Sequence, residues 1–382
     1  MGYFAVLVQN NASAYAKFIK IKRLHINIWS LRSLWPGRRL FYFDVGLELH
    51  LKKSKRNPLS YVDGVEVLLP FIAEEGKWPN GAPVVQDLYE MVIDDHSCPL
   101  IFGMPVKAIK SINGRANIEF SKDRLVAGRI REGCAKLVEN EFVAGDSSSY
   151  LVSFQRPVEQ GESVYFRMRW RVFGAAPLWK WVRAEAGARV DFRVCDTRQM
   201  AAWQREPGTI SRILPVMAAN IFITAPASFI PMNVSPFPKH VRMLESDAWI
   251  DYLRGAARWK WMVKDLLVYG WSRGGEADRH ITGDNPLRIF VALNRPASKP
   301  KWLIFMHILT GVIAVWMLLN GRQWLSDALN IPLDMTPIAG FIGISSVAGL
   351  WAILQRVKPF FEGSFRRPRQ FFRRIERFFL VG

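Results

Sequence analysis

The sequence has little cysteine. Its three thiols, Cys98, Cys134 and Cys195, are an odd number with no close spacing, which excludes a disulfide framework and suits a reducing compartment. All three are expected to be ordinary buried thiols. A secretory leader is also missing: the apolar opening Met1–Val8 is too short for one and has no basic segment before it. The bulk of the chain is therefore expected on the side of the membrane where it is made. The common catalytic signatures are absent as well, with no Gly-x-Ser-x-Gly elbow, phosphate-binding loop, dinucleotide fingerprint, His-Glu-x-x-His or Cys-x-x-Cys pair. Asp94-Asp95-His96-Ser97-Cys98 crowds four ligand types into five residues, but neighbours on one segment rarely complete a tetrahedral site. No metal or cofactor is expected.

Charge is missing from two stretches near the C-terminus. Trp302–Leu319 and Ile338–Leu354 contain no Asp, Glu, Lys or Arg. As helices they would be about 25–27 Å long, close to the hydrocarbon core of a bilayer. Pro337 stands at the start of the second, where proline suits a first helical turn. Trp302, Trp324 and Trp351 fall near the expected interfaces. The two runs predict a transmembrane hairpin over 301–356. Two buried helices of a water-soluble fold are the plain alternative. Arg295, Lys299 and Lys301 precede the first run and eight Lys or Arg follow the second, whereas the loop between them has only Arg322. By the positive-inside rule both termini are cytoplasmic, in a plasma (inner) membrane protein. Ala339 and Gly343, like Ser345 and Gly349, are small residues four apart that suit close helix packing, within the hairpin or between copies. His307 is expected at the interface rather than in the hydrocarbon.

What the chain has in excess is positive charge, formally +19, concentrated at both ends. From Arg356 onward, eight basic residues face two Glu. In this tail (357–382), Phe371, Phe372, Ile375, Phe378 and Phe379 alternate with arginines at helical spacing. Arg366, Arg367, Arg369, Arg373, Arg374 and Arg377 are expected to hold anionic lipid, each contributing on the order of 1 kcal/mol. Beside a bilayer, lipid is preferred over nucleic acid. The segment 1–40, with Lys17, Lys20, Lys22, Arg23, Arg32, Arg38 and Arg39, reads as a basic arm, either a second lipid contact or the solvated face of an edge element.

Between these ends, period-two alternation dominates. Phe43, Val45, Leu47, Leu49 and Leu51 predict one buried strand face, with Asp44, Glu48, His50 and Lys52 on the other. Further strands are predicted around Val65–Phe71, Ala116–Phe120, Tyr150–Phe154, Phe166–Val172, Val190–Val194, Lys239–Leu244 and Arg288–Leu293. Helices are predicted over Val85–Ile93, Val126–Glu139 and Asp247–Leu267. The fold class expected is mainly β, with a sandwich- or barrel-like cytosolic domain over 41–300 and a few helices, followed by the hairpin. A break between two subdomains is conceivable near 175–210. Ile213–Met232 is free of charge, but Pro215, Pro226 and Pro231 argue against a helix, so it is read as a buried or interface segment.

Arg167, Arg169 and Arg171 lie on one face of one strand, a row about 13 Å long. Cross-strand acids would make the row structural, whereas a small anionic ligand would make it a binding surface. These features suggest a non-enzymatic membrane sensor or effector, for instance in bacterial defence or stress, that acts through an oligomerising hairpin. The alternatives are a static scaffold that recruits a cytosolic partner and a membrane-tethered enzyme acting on lipid or nucleotide.

Overall fold

A computed structural model describes residues 2–9, 16–32, 39–54, 59–71, 85–112, 114–131, 136–137, 148–172, 179–182, 187–199, 207–253, 260–274, 280–294 and Gly311. The chain divides into two compact units, Met1–Pro296 and Ala297–Gly382. Both uncharged stretches lie in the second and, apart from Gly311, outside the described residues, as do Ala339, Gly343, Ser345, Gly349 and the arginines of the tail. Among the described residues no helix is long and apolar enough to cross a membrane.

The first unit is mainly β. Its first half contains β1 (Gly2–Val8), β2 (Ile19–Arg32), β3 (Arg39–Leu51), β4 (Tyr61–Leu69), β5 (Val85–Asp87), helices α1 (Tyr89–Val92) and α2 (Ser97–Phe102), β6 (Val106–Ile112), β7 (Arg115–Phe120) and β8 (Arg124–Gly128). There follow β9 (Lys136–Leu137), β10 (Ser148–Glu159), β11 (Ser163–Val172), β12 (Trp179–Val182), β13 (Gly187–Val194) and α3 (Pro207–Ile210). The last elements are β14 (Ala218–Pro226), β15 (Ile230–Ser235), β16 (His240–Met243), α4 (Ser246–Tyr252), β17 (Leu266–Gly274) and β18 (Leu287–Asn294).

Two sheets result. One has the order β15-β18-β13-β1-β4-β10-β9, with β12 on β13; the other runs β16-β17-β14-β2-β3-β11-β8-β7-β6, with β5 on β11. The alternating apolar residues explain why they face each other. Phe43, Val45, Leu47, Leu49 and Leu51 of β3 share one core with Phe4, Val6 and Val8 of β1 and Val65, Val67 and Leu69 of β4. Phe43 of the larger sheet meets Phe4 and Phe192 of the smaller at ring centroid distances of 6.0 and 5.8 Å. Each such ring or branched chain removed from water contributes about 1.5–3 kcal/mol.

The second face of the larger sheet is also covered. Trp29, Tyr42 and Tyr165, which point away from the shared core, pack with Leu88 and Tyr89, Cys98 and Ile101, and Trp249 and Tyr252, on or beside α1, α2 and α4. This second core buries side chains that period-two reasoning assigns to solvent: Asp44 is fully buried and Glu48 nearly so.

Several sequence expectations change. The basic stretch 1–40 supplies β1 and β2, interior strands of the two sheets rather than a separate arm or an edge element. There is no division near 175–210, because β13 pairs with β1 and β14 with β2. Val126–Glu139 is no helix among its described residues; β8 pairs there with β7 and β11. Among its described residues, Asp247–Leu267 contains most of α4, a 3-10 turn at Lys260–Met262 and the start of β17. Val85–Ile93 splits into β5 and α1. Ile213–Met232 contains β14, an interior strand, and the start of the edge strand β15, where Ile230 and Met232 are exposed.

Candidate functional site

Antiparallel pairing of β11 with β3 sets Arg169 opposite Asp44, Arg167 opposite Gly46 and Arg171 opposite Tyr42. Arg167 and Arg169 are 1% and 2% exposed, so they form no solvent-facing row and take no ligand from solution in this conformation. Arg171 is half-buried. For Arg169 the cross-strand acid exists. Its Nε donates to Asp44 Oδ1 at 2.6 Å and its Nη2 to Oδ2 at 2.9 Å. Trp29 Nε1 and Tyr252 Oη also donate to Asp44 Oδ2, at 2.8 and 2.5 Å. Arg167 binds no carboxylate directly; it donates to the hydroxyls of Tyr252 and Tyr165 at 2.8 and 2.9 Å. Asn27, in the orientation that satisfies both its groups, accepts from Arg167 Nη2 at 2.9 Å. Gly46 leaves the room this requires, since a Cβ there would lie 1.9 Å from Tyr165 Oη and 2.9 Å from Arg167 Nη1.

Electrostatics follow from this packing. Burial would raise the Asp44 pKa, but the charge and hydrogen bonds of Arg169, with Arg167 and Tyr252, hold it below its ordinary value. His25, whose Nδ1 lies 3.2 Å from Tyr165 Oη and whose Nε2 faces the Asn220 amide at 3.3 Å, is fully buried beside these cations. Burial first, then Arg167 and Arg23, push its pKa down to about 3, so the ring is neutral. The arrangement can hold α4 to the sheet through Tyr252. Its members are buried, which leaves no open position for a substrate.

A different place is open. A cleft of about 850 Å³ lies where β2, β3, β7, β8 and the turn before β11 meet, lined among others by Lys22, Arg23, Glu48, Arg115, Asp123, Arg124 and Glu162. A bulge in β2 builds one wall. The register with β3 slips between Ile21, opposite Leu49, and Arg23, opposite Glu48. Ile21 and Leu24 consequently both enter the shared core, and the two consecutive cations Lys22 and Arg23 both line the cleft. Arg23 pairs with Asp123 and stands 2.9 Å from Glu48 Oε2, an ion contact without a hydrogen bond to that oxygen. Arg115 Nη1 donates to both oxygens of Glu162 at 2.7 Å and its Nη2 to the Pro157 carbonyl at 2.5 Å. Its Nε has no partner.

Burial raises the Glu48 pKa, and Arg23 and Lys22 offset this only in part. Burial would raise the Glu162 pKa, but Arg115, the Glu159 backbone N–H and Arg156 together hold it low. Two buried polar atoms, Glu48 Oε2 and Arg115 Nε, thus remain unsatisfied on residues that line one cleft. Leaving a buried donor or acceptor unpaired costs about 1–3 kcal/mol. Sequence reasoning missed this cleft, although Lys22-Arg23 breaking the alternation of β2 was a readable sign of the bulge.

Asp94 Oδ2 accepts from the Ser97 backbone N–H at 2.8 Å and serves the turn into α2. Among the described residues no group of three or more His, Cys, Asp or Glu could hold a metal. Cys98 and Cys195 are free and buried, and burial foremost pushes both thiols up to about 12. Cys134 lies outside the described residues.

No protein-family model matches the sequence, and no curated protein matches it. Among solved structures the chain is similar to an M1 zinc metallopeptidase from Deinococcus radiodurans, at 13% identity and a TM-score of 0.29, over 73% of this chain and 42% of that one. The same enzyme bound to a Tyr-Ser-Ala substrate gives 13% identity and a TM-score of 0.27, over 73% and 43%. A two-domain M1 zinc metallopeptidase bound to L-arginine gives 14% and 0.27, over 75% and 43%. The chain spans less than half the length of these structures, and at such identities and TM-scores the likeness assigns neither fold nor activity.

Proposed function

We propose that this chain is a membrane-anchored, non-enzymatic sensor and effector. Its β-rich domain, sandwich-like in this reading, stands on the cytosolic side and receives a ligand or partner. The C-terminal hairpin, 302–319 and 338–354, acts in the plasma membrane. The observation that carries this is the pair of charge-free stretches of membrane length with basic residues on their outer flanks. The polar cleft supports the receiving role, because it presents unsatisfied groups without a catalytic constellation. Two spans cannot enclose an aqueous pore, so the effector is a homo-oligomer. The small-residue pairs Ala339/Gly343 and Ser345/Gly349 support this. So do the exposed apolar side chains Ile230 and Met232 of β15 and Val241 and Met243 of β16, which lie at the edges of the two sheets. Arg366, Arg367, Arg369, Arg373, Arg374 and Arg377 hold the inner leaflet.

Overproduction with a potential-sensitive dye tests the reading. The full chain is expected in the membrane fraction and depolarises the cell, and deleting 300–382 abolishes both effects. A full chain that stays in the supernatant after ultracentrifugation without detergent, or is strictly monomeric in mild detergent, overturns it.

A further inference from the structure

The cleft constrains the chemistry of what it takes. This step rests on the preceding reading only in treating the cleft as the receiving site. Glu48 Oε2 needs a donor and Arg115 Nε needs an acceptor, and both side chains are more than nine-tenths buried in the cleft wall. The remaining charges are unequal. Arg23 is committed to Glu48 and Asp123, Arg115 to Glu162, and Arg124 to Glu119. Lys22, brought to the wall by the bulge, pairs with no carboxylate at ion-pair distance among the described residues. The wall therefore offers one acceptor, one directed donor and one surplus cation. A ligand that satisfies all three carries a cationic donor and a stronger anion, with net negative charge.

We propose that the cleft binds a small amino-bearing phosphate ester, its ammonium on Glu48 and its phosphate on Arg115 and Lys22. A phosphate monoester carries about −1.5 to −2 at neutral pH, which with one ammonium leaves the net negative charge that Lys22 balances. The volume lies in the range of small-molecule sites and leaves room for a larger organic body on the same group. A free amino-phosphate monoester carries this net charge, whereas in the phosphodiester of an ethanolamine lipid headgroup the ammonium cancels the single negative charge.

Calorimetric titration of the full chain in a nonionic detergent tests the assignment, with phosphoethanolamine, glycerophosphoethanolamine, inorganic phosphate and ethanolamine as separate probes. An amino-phosphate is expected to bind at least tenfold more tightly than phosphate or ethanolamine alone. Preference for phosphoethanolamine is expected, and equal or tighter binding of glycerophosphoethanolamine, a lipid-headgroup mimic without net charge, overturns the charge argument. Glu48→Gln is expected to reduce amino-phosphate binding to the level of phosphate. Lys22→Gln, a change outside both cores, is expected to weaken phosphate and amino-phosphate alike. If no probe binds a folded chain, or if Glu48→Gln and Lys22→Gln both bind like the parent, the assignment is overturned. Depolarisation is read separately: binding without depolarisation overturns the effector reading and keeps the site, and depolarisation without binding does the reverse.

Discussion

Asp44 and Glu48 stand four residues apart on the same face of β3, both buried, and they behave in opposite ways. Asp44 faces Arg169 across the ladder and accepts four hydrogen bonds, and its pKa falls. Glu48 faces Arg23 through a bulge, keeps one oxygen without a hydrogen bond, and its pKa rises. One sheet face thus holds a closed structural knot and, two repeats of the pleat away, an unfinished one beside an open cleft. Burial alone distinguishes nothing here. Satisfaction of each oxygen does, because an unsatisfied carboxylate is retained against its own cost.

The largest effect expected from this contrast is at Asp44. Asp44→Ala leaves Arg169 buried without its counter-charge and removes the acceptor of Trp29 and Tyr252, at a cost of about 3–5 kcal/mol in chemical unfolding. Glu48→Gln, by comparison, is expected to change stability by less than about 1 kcal/mol. Equal losses at the two sites would remove the distinction. Next in size is Gly46→Ala, whose methyl would drive Tyr165 and Arg167 from their places, for about 1–3 kcal/mol of overpacking. An unchanged melting temperature would show the network to be looser than its geometry implies.

The subtlest test is pH. The lowered His25 pKa means that its neutral form is favoured by folding. That stability is complete above the ordinary value of 6.5 and is lost as pH falls toward about 3. Asp44 adds a loss of the same sign, which develops below the ordinary carboxylate range and is complete once pH passes through its depressed folded pKa. Glu48 has the opposite sign, its contribution being present at low pH and fading as pH rises through its elevated pKa. Acid unfolding curves should therefore flatten between pH 6.5 and about 3 in His25→Gln. Glu48→Gln should instead remove a stability decrement at higher pH.

How much of this was legible in the sequence follows from the period of a strand. Alternation in Phe43–Lys52 and Phe166–Val172 located β3 and β11 and identified their core-facing residues. It could not show that the polar face is also covered, because Asp44, Arg167 and Arg169 look the same whether they meet water or one another. The cross-strand register that joins Arg169 to Asp44 depends on a pairing across more than a hundred residues. Helical spacing misled at Val126–Glu139, where pairing of β8 with β7 and β11 outweighs local preference, and at Asp247–Leu267, where α4 and β17 run together in one apolar pattern. The cleft was hidden for a simpler reason. Its residues come from β2, β3, β7, β8, β11 with the turn before it, the start of β14 and His280, and nothing but the fold brings them together.

The strand order has a consequence for how the protein is made. Gly2 pairs with Phe192, and β2 lies beside β14, so β1 and β2 wait for partners that leave the ribosome much later. The last of the described strands, β18, ends at Asn294 and completes the ladder between β13 and β15. Such distant pairings fold slowly and leave strand edges exposed meanwhile. The uncharged run that starts at Trp302 emerges close behind. In the reading proposed above, closure of the β unit and delivery of that run to a bilayer overlap in time, and a chaperone that shields β2 during this interval would serve both.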